Sequence, residues 1–135
     1  MENRRENKGS SFVYWTPRIL SILFLLFLAM FSLDVFGEGY GFWGTVLGLL
    51  IHNIPVFILA IILIISWRYE IVGGIAFLLA GTAYVALMAN EALTGRFEWY
   101  MISYPIIIAG PAFLIGILFL LGWRGKRKKT GSARD

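Results

Sequence analysis

Long apolar runs alternate with short polar stretches along this chain. The runs cover about residues 17–36, 42–67, 71–90 and 100–123. Each is about 20–25 residues long, enough to cross ~30 Å of hydrocarbon at ~1.5 Å per residue. Backbone in hydrocarbon must satisfy its own hydrogen bonds, so such runs predict helices rather than an open sheet. The connections are short: GEGYGFWG (37–44), Arg68-Tyr69-Glu70, and a stretch of about 91–99. Short connections make consecutive helices antiparallel neighbours. The expected architecture is all-α, an integral membrane four-helix bundle running up-down-up-down. It occupies residues 17–123, between a polar N-terminal segment, 1–16, and a basic tail, 124–135.

The tryptophans fit this pattern. Trp15, Trp43, Trp67, Trp99 and Trp123 each fall at an edge of an apolar run. Indole favours that level because its ring is apolar while its N–H wants a partner.

Composition narrows the solvent. Hydrophobic residues make up 59% of the 135-residue chain and charged residues 15%, with a mean hydropathy of +0.75. A soluble domain carries about a quarter charged residues. There are no cysteines, which excludes disulfides, thiolate metal sites and cysteine nucleophiles. His52 is the single histidine, so a multi-histidine metal site cannot form within one chain. No metal and no cofactor is expected.

Charge sets the expected orientation. With four spans, both termini and the second connection share one side. That side holds Arg4, Arg5, Lys8, Arg18, Arg68, Arg124, Lys126, Arg127, Lys128, Lys129 and Arg134, and the other holds Arg96 alone among the basic residues. The positive-inside rule then makes both termini cytoplasmic in a cell (inner) membrane. The bias argues against a protein that inserts both ways. Ser32-Leu33-Asp34-Val35-Phe36 lacks a small-x-small cleavage site, so the first run reads as a retained anchor. The basic tail abuts a span that needs such a flank. It is expected to meet anionic lipid headgroups at about 1 kcal/mol per basic residue, not nucleic acid. The first ten residues, MENRRENKGS, are largely polar and are expected to be disordered. Arg18 is expected to snorkel to the cytoplasmic surface, and Arg68 and Glu70 to flank the tight inner turn.

Small and polar positions mark candidate contacts. Gly73, Ala76, Ala80 and Ala83 step by three or four in the third run, with Asn90 continuing the face. Such faces let helices approach closely in lipid. Gly44 and Gly48 form a GxxxG in the second run, expected to pack within the molecule. Gly48, His52, Pro55 and Leu59 share one face of that run. Pro55 lacks an N–H, so the Ile51 carbonyl loses its usual partner and the helix should kink. The side chains of His52 or Asn53 could supply a donor locally, or another helix could. Counted from the cytoplasmic edge, His52 lies about 22 Å and Asp34 about 24 Å up their helices, which would make them level. Counting from the first connection instead separates them by roughly 9 Å. The expected intramembrane polar cluster is Asp34, His52, Asn53, Asn90 and Tyr104, either a proton- or ligand-sensitive group or a network that fixes helix register. Tyr84 reads as packing. Pro105, Gly110 and Pro111 should bend the fourth span. No catalytic residues are expected, since GxSxG, HExxH, Walker and GxGxxG patterns are all missing from the sequence.

The runs MFSLDVF (30–36), LLIHNIPVFILAIILIISW (49–67), VGGIAFLLAG (72–81) and GPAFLIGILFLLGW (110–123) resemble a family of small prokaryotic membrane proteins with a domain of unknown function. The matching marks are Asp34, His52, Pro55, Trp67, Gly73, Gly74, Gly110 and Pro111, over roughly residues 18–123. The resemblance implies four helices and a membrane location, and no activity. Small multidrug-resistance transporters share the size but carry a glutamate within the first helix, which this chain lacks. Small fluoride channels work as antiparallel dimers, which the charge bias forbids. The expected role is a non-catalytic structural or accessory component, with a membrane-protein partner or a homo-oligomer. The alternative is a homo-oligomeric transporter or channel for a small solute or proton.

Overall fold

In the computed structural model, residues 2–95 and 98–132 are described, with backbone alone for residues 2–10, 100, 129 and 131–132. The charges of Arg4, Arg5, Lys8, Arg96, Lys129 and Arg134 therefore lie outside the described side chains. Among the described residues there are five α-helices, one 3-10 segment and no strand. They are α1 (Glu2–Met30), the 3-10 segment Phe31–Glu38, α2 (Phe42–His52), α3 (Ile54–Ser66), α4 (Glu70–Thr94) and α5 (Tyr100–Ser132).

Among the described residues, three segments are long and apolar enough to cross a membrane: Ser11–Glu38, Glu70–Thr94 and Met101–Lys128. The second apolar run is not one straight helix. It divides into α2 and α3, which reach the required length only together and meet at a 46° bend. The polar first residues also differ from expectation, because α1 is helical from Glu2 rather than from about Pro17.

The bend has a local cause. Pro55 sits in the first turn of α3, where a missing N–H costs no helical bond. Asn53 leaves helical geometry, at φ −89° and ψ 1°. Its backbone N–H and its side-chain Nδ2 both donate to the Leu49 carbonyl, at 3.1 and 2.9 Å, and its own carbonyl accepts from Phe57 at 2.9 Å. The side chain of Asn53 thus serves Leu49 and not Ile51. The turn before α2 uses Gly39 at φ +69°, a left-handed conformation that suits glycine.

α4 and α5 pack most closely, and they run antiparallel. Gly74 lies against Leu120 and the Gly116 carbonyl, while Gly81 faces Phe113. A Cβ on Gly74 would sit 2.6 Å from Leu120, and one on Gly116 would sit 3.0 Å from the Gly74 carbonyl. These glycines set the helix separation, because an added side chain would meet the facing helix. The contact stripe of α4 is Gly73, Gly74, Phe77 and Gly81. It is rotated from the expected stripe, and Ala83 and Asn90 are exposed. Phe77 and Phe119 stack at 6.2 Å, and Phe24 reaches Phe77 from α1 at 6.3 Å. Leu59, Leu63 and Ile115 complete this core.

α2 stands apart. It buries no residue, and its neighbours are the 3-10 segment and α3. Gly48 packs on Val35, where an added Cβ would meet a methyl at 2.7 Å. The GxxxG glycine therefore serves an internal contact. Large apolar side chains are exposed on every helix, including Leu26, Leu47, Ile64, Leu79 and Ile106. A surface of that kind calls for a partner or a lipid solvent.

Candidate functional site

Two features could do chemistry or bind something. The first is a cleft of about 270 Å³ at the α2–α3 bend. The bend swings α2 away from the bundle, and α1, α4 and α5 leave the space behind it. Phe24, Leu28, Val56 and Ala112 give it an apolar wall, and His52 and Tyr84 are its titratable members.

Of the expected polar cluster, the cleft takes His52 alone, together with the kink residue Pro55. Asp34 is exposed on the 3-10 segment, and neither an ion pair nor a hydrogen bond joins it to His52 among the described residues. Asn53 turns back onto its own helix. Asn90 and Tyr104 are exposed further along α4 and α5 and do not line the cleft. Tyr84, read from sequence as packing, is the polar side chain the cleft adds. Val35, the neighbour of Asp34, packs on Gly48, one turn before His52.

The second feature lies at the other end of the molecule. Arg18 is buried to 2% exposure, contrary to the expectation that it snorkels. Its Nη2 donates to Glu70 Oε1 at 3.2 Å and to the Trp67 carbonyl at 3.2 Å. Its Nη1 donates to the Tyr14 carbonyl. The guanidinium stacks over the Tyr14 ring at 3.5 Å. Lys126, more than half exposed, reaches Glu70 Oε1 at 2.8 Å and sits 4.7 Å from the Tyr14 ring. Arg127 covers Trp123 at 5.2 Å. One carboxylate therefore holds cations from α1 and α5 at the start of α4.

Local sequence explains how each group gets there. Pro17 and Ser21, both buried, turn this face of α1 inward, with Ser21 Oγ donating to the Pro17 carbonyl at 2.5 Å. The α3–α4 turn is tight because Gly73 leaves room for Ser66, whose Cβ would be 2.6 Å from an added Cβ. That turn presents Glu70 as the first residue of α4, where the helix N-terminus favours a carboxylate. Arginine suits the opposite role because its planar fork can bond several acceptors and stack on a ring at once.

The junction is not fully satisfied. Glu70 Oε2 and Arg18 Nε are buried with no hydrogen-bond partner among the described residues. Beside Glu70 lies a cavity of about 170 Å³, bordered by Tyr14, Gly122, Gly125 and Lys126. A Cβ on Gly122 would lie 3.4 Å from Oε2, and one on Gly125 would meet nothing within 4 Å. The two glycines keep this space open. Among the described residues, no group of three or more His, Asp or Glu side chains gathers where a metal ion could sit.

Sequence reasoning missed this junction. The signal was present: Glu70 is the one acid between the apolar runs on the basic side. An acid kept among so many cations at a helix start invites the question of which cation it faces.

The fold and the junction define a class: a small all-helical protein with helices long and apolar enough to cross a membrane, tied at one end by buried charge. Over residues 5–131 the sequence matches the family described as Domain of unknown function (DUF7670), and the chain belongs to that family. Comparison with curated proteins and with solved structures gave no match.

Proposed function

We propose that this chain is a multi-pass protein of the cell membrane and a non-catalytic structural or accessory component of it. The supporting observation is the Arg18–Glu70–Lys126 junction, which spends the buried charge of the molecule on joining three helices. Arg18 and Glu70 are the charged residues buried among those described. Charges paired across helices in this way serve to fix helix position.

The junction also supports a four-span, up-down-up-down path. Arg18 meets Glu70 and Phe24 meets Phe77, so α1 and α4 run parallel. The chain must return between them, and the bent α2–α3 pair is the segment available. α5 then runs back beside α4 to bring Lys126 to Glu70. Trp15, Trp67 and Trp123 lie near this end, as an interfacial belt would. Placed in the cytoplasm, this end sets the tail at anionic headgroups.

The accessory reading predicts that a tagged chain retains a membrane-protein partner, or a second copy of itself, through mild detergent extraction. Failure to retain either after crosslinking in intact membranes defeats it. The transporter alternative draws on the cleft at His52 and Tyr84. It predicts solute or proton flux in liposomes that His52→Ala reduces, and flux untouched by that change counts against it.

A further inference from the structure

We infer that the cleft at the α2–α3 bend holds one hydrocarbon chain of a membrane lipid. The inference rests on the membrane reading above and adds a ligand to it. It also fills the space that the transporter alternative assigns to a solute.

Every element of the fold gives the cleft a wall. Leu28 comes from α1, Phe31 from the 3-10 segment, His52 from α2, Val56 from α3, Tyr84 from α4 and Ile108 from α5. The space is therefore interior to the bundle and is not an uncovered outer face. Its opening follows from the bend. α2 touches the 3-10 segment and α3, but neither α4 nor α5 among the described residues. The wall that a straight second helix would complete against α4 is missing, so the cleft opens sideways there. Counted along the helices, His52 lies about 15 Å from the start of α2 and about 22 Å from Trp67. In the membrane reading, a side opening at that depth meets lipid chains.

The lining selects an apolar occupant. Thirteen residues border the cleft, and His52 and Tyr84 alone among them carry polar side-chain atoms. None of the thirteen is a lysine, arginine or carboxylate that would hold an ionic group. A buried water needs about two to four polar partners, and an apolar cavity of ~150 Å³ stays dry. This cleft is larger, about 270 Å³. Left empty, it would deprive its lining of close-packed contacts.

The shape selects a chain. The lining runs from Phe24 to Phe31 on one side and from His52 to Leu59 on another. Each stretch covers roughly 10 Å at ~1.5 Å per residue. The cleft is drawn out along the helix axes, the direction that lipid chains take. Counted from the Arg18–Glu70 junction, Phe24, Leu59 and Ala112 form its near end, and Phe31, His52 and Tyr84 its far end. Both polar side chains thus stand at the far end. A chain entering from the leaflet on that side points its methyl end at an apolar floor.

The test reconstitutes the full chain in phosphatidylcholine liposomes doped with a phosphatidylcholine that carries a diazirine at the middle of one chain. After illumination, lipid adducts are mapped by tandem mass spectrometry. Adducts are expected on Val56 and Tyr84 in the cleft, and on Leu26 and Ile64, which are 64% and 71% exposed. Ala80→Phe fills the cleft and should abolish the adducts on Val56 and Tyr84 while leaving those on Leu26 and Ile64. If Ala80→Phe does not fold, Val56→Phe is the substitute, read at Tyr84. Adducts on Leu26 and Ile64 with none in the cleft overturn this inference alone. So do cleft adducts unchanged in the folded filled variant. Modification of Ala80→Cys by a water-soluble maleimide as fast as Glu98→Cys also overturns it, because the cleft would then hold water. Absence of adducts at Leu26 and Ile64 as well would sink the membrane reading and this inference with it.

Discussion

Arg18 and Glu70, 52 residues apart in the chain, form a buried ion pair at 3.2 Å. The pair closes the gap between α1 and α4, which otherwise touch mainly through Phe24 and Phe77. A buried pair owes little net stability to its mutual attraction, because desolvating both charges offsets most of it. Removing one member is another matter. Arg18→Ala or Glu70→Ala should each destabilise the fold by about 3–5 kcal/mol, while Arg18→Met with Glu70→Leu should cost far less. Detergent-resolved unfolding of the three variants checks this. Additive losses in the double variant would show that the two groups do not act as a pair.

Lys126 reaches the same carboxylate oxygen from an exposed position. Solvent screening limits such a contact to about 0–1 kcal/mol. Lys126→Ala should therefore leave stability within that range, in contrast to Arg18→Ala. A loss as large as that of Arg18→Ala would mean that Lys126, and not Arg18, carries the junction.

The glycines of the α4–α5 contact set how closely the two helices lie. A Cβ on Gly74 would come within 2.6 Å of Leu120 and 3.2 Å of the Gly116 carbonyl. Gly74→Val should cost about 1–3 kcal/mol through overpacking. Gly110, around which an added Cβ meets nothing within 4 Å, provides the control. Gly110→Ala should be neutral or slightly stabilising, since alanine favours helix by about 1 kcal/mol. Unfolding midpoints of the two variants decide the matter, and equal effects would contradict the packing described.

The bend at Asn53 depends on Pro55 and on the doubled bond to Leu49. Pro55→Ala restores an N–H, so α2 and α3 can join into one straighter helix. Spin labels at Thr45 and Ile64 should then move apart, and the cleft at His52 should narrow. An unchanged separation would assign the bend to tertiary packing instead of proline.

The long helices were legible in the sequence because apolar runs of that length, with tryptophan at their edges, predict helices long enough to cross a membrane. The kink at Pro55 was legible because proline removes a specific bond. What was not legible depended on rotation and register. Arg18 read as a snorkelling residue because helix position gives depth but not direction, and its inward turn needs the facing Glu70. Two counts of depth disagree on whether Asp34 and His52 are level, for a similar reason. A 3-10 segment advances further per residue than an α-helix, and no residue of Phe31–Glu38 marks that conformation in advance. Tyr84 was assigned to packing because its place beside the bend depends on where α2 swings.

The most direct measurement of the four-span account uses the absence of cysteine from the chain. Single-cysteine variants Arg68→Cys, Glu98→Cys and Thr130→Cys are treated in intact cells with a membrane-impermeant maleimide. The account predicts that Glu98→Cys labels in intact cells, and that Arg68→Cys and Thr130→Cys label only after permeabilisation. Labelling of Arg68→Cys in intact cells, alongside Glu98→Cys, would contradict it.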